Sequence, residues 1–155
     1  MWSSYFFITL KLQPVAMGRP RLNRMTGRTY LPQKTKETLQ KISHLVKHQM
    51  LKNNVLPVEK KTPVYVSLVF VHRRPKSHKK TIERSPKTTR PDIDNIAKTY
   101  LDGLTRSGLF TDDSQVTLLQ CEDLYGATDE APHVIINVSI WRGTDEKTWL
   151  HHSDI

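Results

Sequence analysis

"VYVSLVFV", residues 64–71, is the strongest element in the chain, eight residues rich in β-branched and aromatic side chains with no glycine or proline. It lies between two stretches of helical periodicity, so the fold must interleave strands with helices. From Lys34 to Lys52 the apolar residues Leu39, Ile42, Leu45, Val46 and Met50 recur at steps of three and four. That pattern makes an amphipathic helix with a Lys- and His-rich outer face. A second apolar face runs through Ile93, Ile96, Ala97, Tyr100, Leu101 and Leu104 in a helix starting near Asp94, and Gly108 is placed to stop it. "YFFITLKL" (5–12) reads as a first strand ended by Pro14, and "QVTLLQCEDLY" (115–125) and "HVIINVSIW" (133–141) read as two last strands. The order βαβαββ predicts a small α+β domain over residues 1–142, followed by a polar tail, 143–155.

Two segments fit neither period. "MGRPRLNRMTGRTYLPQ" (17–33) is broken by Gly18, Pro20, Gly27 and Pro32 and reads as a loop. "HRRPKSHKKTIERSPKTTR" (72–90) sets eight Lys and Arg against the single Glu83 and reads as a long flexible basic loop. The whole chain carries a net charge of +9, which favours a polyanionic partner, nucleic acid before an anionic membrane. No apolar stretch approaches the ~20 residues of a membrane span. The N-terminus lacks a signal-peptide pattern. Cys121 is the only cysteine, which excludes an internal disulfide and suits a reducing interior. The expected location is the cytoplasm, with no membrane. The seven histidines show no metal-ligand spacing; His151 and His152 lie in the tail, and packing is the expected role of Trp141.

Within this basic chain, "RPDIDNIAKTYLDGLTRSGLFTDDSQV" (90–116) gathers acids. Asp92 and Asp94 stand where the second helix begins, and one of them would serve as an ordinary N-cap. Lys98 is four residues after Asp94, the spacing of a common helical ion pair. Asp112 and Asp113 stand where aspartates commonly make turns. Taken together, a helix and a returning strand would bring both acidic clusters near one another. Converging carboxylates repel unless a cation lies between them, and hard oxygen ligands suit Mg²⁺ or Mn²⁺. A carboxylate–metal site on a basic surface suits metal-dependent cleavage of nucleic-acid phosphodiesters. The alternative is a non-catalytic DNA- or RNA-binding accessory protein whose acids only cap and turn.

The same stretch resembles the signature of the RusA family of Holliday junction resolvases, with a D-x-D-N-x-x-K run opening a helix and a D-D-x-Q-V run opening a strand. "GRPRLNRMTGRTYLP" and the chain length extend the resemblance over about residues 5–141. It implies a mixed sheet, a homodimer, and Mg²⁺-dependent paired nicking of four-way junctions in recombination and repair. Asp92, Asp94 and Asp113 would then be metal-binding carboxylates, Lys98 the catalytic lysine, and Asp112 a possible helper. Arg19, Arg21, Arg24 and Arg28 in the first loop are expected to contact phosphate. Arg73, Arg74, Lys76, Lys79 and Lys80, with Arg90, form the expected DNA clamp, because so many uncompensated cations repel one another without a polyanion.

Overall fold

The structure is a computed structural model and describes residues 1–143. In chain order the elements are β1 (Trp2–Leu10), β2 (Arg21–Leu22), β3 (Thr29–Tyr30), α1 (Gln33–Lys52), β4 (Val64–His72), β5 (Ser85–Pro86), α2 (Ile93–Ser107), β6 (Val116–Tyr125) and β7 (His133–Trp141). A 3-10 turn, Asp113–Gln115, leads into β6. The expected βαβαββ order is present, with two short additions. The first loop is a hairpin of β2 on β3, and the basic loop contributes β5, which pairs with Tyr125 and Leu124 of β6. That loop, expected to be free, is therefore stitched back onto the sheet.

The main sheet runs β1-β7-β4-β6-β5 and is mixed: β4 and β6 are parallel, and the other neighbours are antiparallel. Strand periodicity explains which face is covered. Phe6, Ile8 and Leu10 of β1, Val64, Val66, Leu68 and Phe70 of β4, and Val134, Ile136 and Val138 of β7 are buried at every second position. Both helices close over that face, α1 with Ile42, Val46 and Met50, α2 with Ile96, Ala97, Tyr100 and Leu104. Two residues expected on the apolar helix faces fall at their edges instead. Leu45 is 38% and Ile93 39% exposed, so each helical stripe is narrower than its sequence pattern. Trp141 packs edge-on against Trp2, as expected of a packing residue. Beyond residue 143 the expected tail, with Trp149, His151 and His152, lies outside the described residues.

β6 is the weakly covered strand. It is partnered by β4 on one side, while on the other β5 reaches only Tyr125 and Leu124. Leu118 and Leu119 along this strand are 44% and 43% exposed.

Gly108 ends α2 in the left-handed conformation (φ 81°), the role the sequence assigned it. Gly103 has a different reason to be small. A Cβ there would stand 2.5 Å from Cγ2 and 3.0 Å from Cβ of Ile42, on the facing helix. A β-branched side chain cannot swing away, because its χ1 is locked by its own helix. Gly103→Ala should therefore destabilise the protein by roughly 1–3 kcal/mol in urea unfolding, although alanine is the better helix former by about 1 kcal/mol. A neutral or stabilising result would show that α1 and α2 can move apart at no cost.

Candidate active site

Asp92 occupies the capping position of α2 in extended backbone, φ −72° and ψ 146°, but its carboxylate makes no capping bond. Only its carbonyl serves the helix, accepting from the N–H groups of Asn95 and Ile96. Asp94, in the first turn, and Lys98, one turn on, are both exposed. Among the described residues the ion pairs are His72–Asp123, Arg84–Glu130, Lys87–Asp123 and Arg106–Asp102, so Lys98 pairs with neither Asp94 nor Asp102. The ordinary uses of these residues, a cap and a helical ion pair, are not taken up. Their charges remain available at the surface.

Helical spacing places Asp94, Lys98 and Asp102 in one stripe at four-residue steps. All three line a cleft of ≈340 Å³ together with Asp113, Met17 and Leu119. Asp102 carries no role in the sequence reading, although its spacing from Lys98 places it on the same stripe. Eight residues of helix separate Asp94 from Asp102 by about 12 Å. Asp113 belongs to the Asp102 end: the Asp112 side chain first, then loss of water, with a smaller contribution from the Asp102 charge, raise its carboxyl above the ordinary value. Asp92 lines an adjoining cleft with Lys87, Pro91 and Asp123. Free carboxylate oxygens are the donors a hard divalent cation takes, and the strained ionisation of Asp113 is what a cation would relieve. Among the described residues no three His, Cys, Asp or Glu stand close enough together to hold one ion. The rise of α2 accounts for that, since it keeps Asp94 and Asp113 toward opposite ends of the groove.

The two downstream aspartates have separate jobs. Asp112 accepts a bond from the Ser114 N–H at 3.0 Å, which caps the 3-10 turn and holds its carboxyl below the ordinary value. It lines a different cleft, with Lys60 and Lys61. Its neighbour Asp113 is left free by the same turn. Gln115, which is buried, fixes that turn by using both ends of its amide. Its Oε1 accepts from Thr111 N at 2.9 Å, and its Nε2 donates to the carbonyls of Glu59 (3.0 Å) and Thr62 (3.1 Å). The glutamine of "DDSQV" is thus the residue that ties the acidic turn to the α1–β4 connection.

The basic loop divides its eight cations. Arg74 donates to Gly126 O, Glu83 O and Ser85 Oγ, tying the loop to itself and to the residue that follows β6. Arg84 is paired with Glu130 at 2.8 Å, which pulls the Glu130 carboxyl down to about 2. Lys87 is buried at its side chain and reaches Thr89 O (2.5 Å), Pro91 O (3.4 Å) and Asp123 Oδ2 (3.6 Å). Asp123 is held in turn by His72 Nε2 at 2.6 Å. This buried trio therefore grips the two carbonyls just before Asp92. Asp123 stands beside Glu122 on β6, and nothing in the sequence separates either Asp123 or Lys87 from its neighbours. Arg73, Lys76, Lys79, Lys80 and Arg90 are exposed and enter no ion pair among the described residues, as do Arg19 and Arg21 in the hairpin.

Asp94 and an unpaired Lys98 on α2, with Asp113 lining the same cleft, make this groove the candidate site of a basic α+β fold. Comparison with known proteins gives the family. Residues 11–139 match the family described as Endodeoxyribonuclease RusA, and the chain belongs to it. The chain is also 31% identical over 137 residues, 82% of its own length and 92% of the other's, to a Bacillus subtilis (strain 168) protein described as the uncharacterized protein YqaN. Membership makes this chain an endodeoxyribonuclease, a hydrolase of phosphodiester bonds in the Holliday junction resolvase class. No helix among the described residues is long and apolar enough to cross a membrane.

Burial drives the His72 pKa below its ordinary 6.5, with Asp123 pulling the other way and Lys87 adding to the fall. The bonding suits a neutral ring, with Nε2–H donating to Asp123 and Nδ1 facing Gln13 Nε2 at 3.4 Å. A proton then binds the unfolded chain better than the folded one. The trio's contribution is complete above pH 6.5 and is lost as pH falls through the native value. The urea midpoint should drop between pH 8 and 5.5 more steeply for the wild type than for His72→Gln. A wild-type midpoint that rises on acidification would show that the attraction of Asp123 outweighs burial.

Proposed function

We propose that the chain resolves four-way DNA junctions by paired nicking, using Mg²⁺, with Mn²⁺ as a substitute, held by Asp92, Asp94 and Asp113. The observation that supports this reading is the α2 groove, lined along its length by Asp94, Lys98 and Asp113, none of which enters an ion pair among the described residues. A bound cation would polarise a phosphate oxygen and lower the pKa of a water. Lys98 stands between the acidic ends, where its ammonium meets the charge that develops on the phosphate or the departing oxygen. Asp112 caps its own turn, so its contribution to the ion is the weakest of the four. Paired nicks require two equivalent sites, which a two-fold homodimer supplies. The edge of β6 beyond the two residues that β5 covers is the seat we assign to the second copy. Because DNA is the substrate, the place of work is the cytoplasm.

Incubation with a synthetic four-way junction and Mg²⁺, with linear duplex as control, tests the reading. Asp92→Asn, Asp94→Asn and Asp113→Asn should each abolish cutting while junction binding persists, since losing negative charge does not weaken attraction to phosphate. Lys98→Met should lose single-turnover rate with thermal stability unchanged, because in this structure the lysine supports no ion pair. A variant that cuts at the wild-type rate removes its residue from the site.

Grip belongs to the cations left free: Arg73, Lys76, Lys79, Lys80 and Arg90 of the loop, and Arg19 and Arg21 of the hairpin. Arg74, whose Nε and Nη2 are bonded to Gly126 O, Glu83 O and Ser85 Oγ, is assigned to shaping the loop before contacting DNA. Replacing Lys79 and Lys80 by Ala should weaken junction binding and lower the slope of log K against log salt by up to ~2. Cutting at saturating protein should change much less. Titration at several salt concentrations reads this directly, and an unchanged slope would make the loop a merely solvated surface.

A further inference from the structure

Two large apolar side chains stand out among the described residues by exposure: Met25 at 96% and Ile82 at 95%. Each sits on a cationic loop. Met25 is in the β2–β3 turn, among Arg19, Arg21, Arg24 and Arg28 with no acid between residues 18 and 32. Ile82 follows Lys79 and Lys80 in the basic loop. Neither contributes to the core, so folding gives no reason for an apolar residue at either place.

Both loops are anchored at their bases, and the hairpin is anchored beside the acidic groove. The Met17 N–H donates to Asn95 O, in the first turn of α2, and Met17 itself lines the cleft of Asp94 and Lys98. Directly after it, Gly18 packs so closely that a Cβ would lie 2.2 Å from Thr35 Oγ1 and 3.2 Å from Pro32 Cγ. The two feet of the hairpin, Gly18 and Pro32, are thus pinned together against α1. The tip is shaped too. Asn23 Oδ1 accepts from Met25 N at 2.9 Å and from Thr26 N at 3.3 Å, and Asn23 N donates to Arg28 O at 2.8 Å. Seven residues from Gly18 to Met25 reach at most about 23 Å, roughly seven base steps of 3.4 Å. On the other loop, Thr81 on the N-terminal side of Ile82 is bonded to Thr128 through both backbone groups, and β5 begins at Ser85.

We propose that Met25 and Ile82 are apolar wedges that enter the base stack at the branch point of a DNA junction, while the surrounding arginines and lysines hold the phosphates on either side. This rests on the junction-cutting reading above. Apolar side chains inserted between base steps unstack them, and phosphate contacts position such a wedge without choosing sequence. A branch point is where stacking is already interrupted, so a wedge discriminates it from continuous duplex.

The test uses the full-length protein without divalent cation, so that nothing is cut, and junctions carrying 2-aminopurine at the crossover, a base that brightens when unstacked. Wild-type protein at saturation should raise the fluorescence several-fold on the junction and leave a linear duplex of the same sequence unchanged. The Met25→Ser/Ile82→Ser double variant should lose at least half of that rise, with junction affinity changed less than about threefold. Two results overturn the wedge and leave junction cutting standing: wild-type binding with no fluorescence rise, or a variant that keeps more than half of the rise at saturation, whatever its affinity. Wild-type protein that fails to bind junctions removes the functional reading, and the wedge with it.

Discussion

The parallel pairing of β4 with β6 governs everything else in this molecule. Two parallel neighbours cannot be joined by a tight turn; the chain must leave the end of β4 and travel back across the sheet before β6 starts. Here that return is the basic loop followed by α2. The crossover therefore lays a helix along the sheet with its N-terminus near the end of β4 and its C-terminus near the start of β6. The acids at its beginning, Asp92 and Asp94, and the acids after its end, Asp112 and Asp113, are set by that single topological requirement. So is the groove that α2 forms with Leu119 of β6.

What distinguishes functional from structural acids here is whether the local fold uses them. Asp112 is used: it caps a turn, and that turn is stapled by Gln115. Asp102 is used in part, through its 3.4 Å pair with Arg106. Asp92 sits where a capping bond is the default, yet leaves it unmade. A helix with an uncapped end and an unpaired lysine gives up stability of the order of 1 kcal/mol for the cap alone. The local fold therefore gives no reason for either residue.

The order of strands and helices was legible because the helices keep a 3.6 period, "HVIINVSIW" alternates, and "VYVSLVFV" is a run of β-branched and aromatic residues with no breaker. The limits of the reading fall where local pattern and tertiary environment differ. Leu45 and Ile93 obey the helical period but lie at its margin, where no partner covers them. β5 is two residues long and contains Pro86, so no strand pattern announced it; it exists because β6 offers a partner. The site was half legible. Asp92, Asp94, Lys98 and Asp113 stood out by type and spacing, and three of them share a cleft. Gln115 and Lys87 did not, because their importance lies in backbone carbonyls of distant segments, which leave no trace in side-chain pattern.

The buried trio of His72, Asp123 and Lys87 shows how grip and chemistry are joined. Burying charge is costly, and a buried pair is weak support for stability by itself. Its place explains its presence better. His72 closes β4, Asp123 lies on β6, and Lys87 belongs to the loop whose free cations face the solvent. Its ammonium, tied to the sheet by Asp123, ends on the carbonyls of Thr89 and Pro91, immediately ahead of Asp92. The hairpin repeats the arrangement from the other side, with its foot bonded to Asn95. Both cationic arms end within three residues of the same two aspartates or on the segment that delivers them. The segment that carries Asp92 and Asp94 is thus tied to both arms through backbone carbonyls.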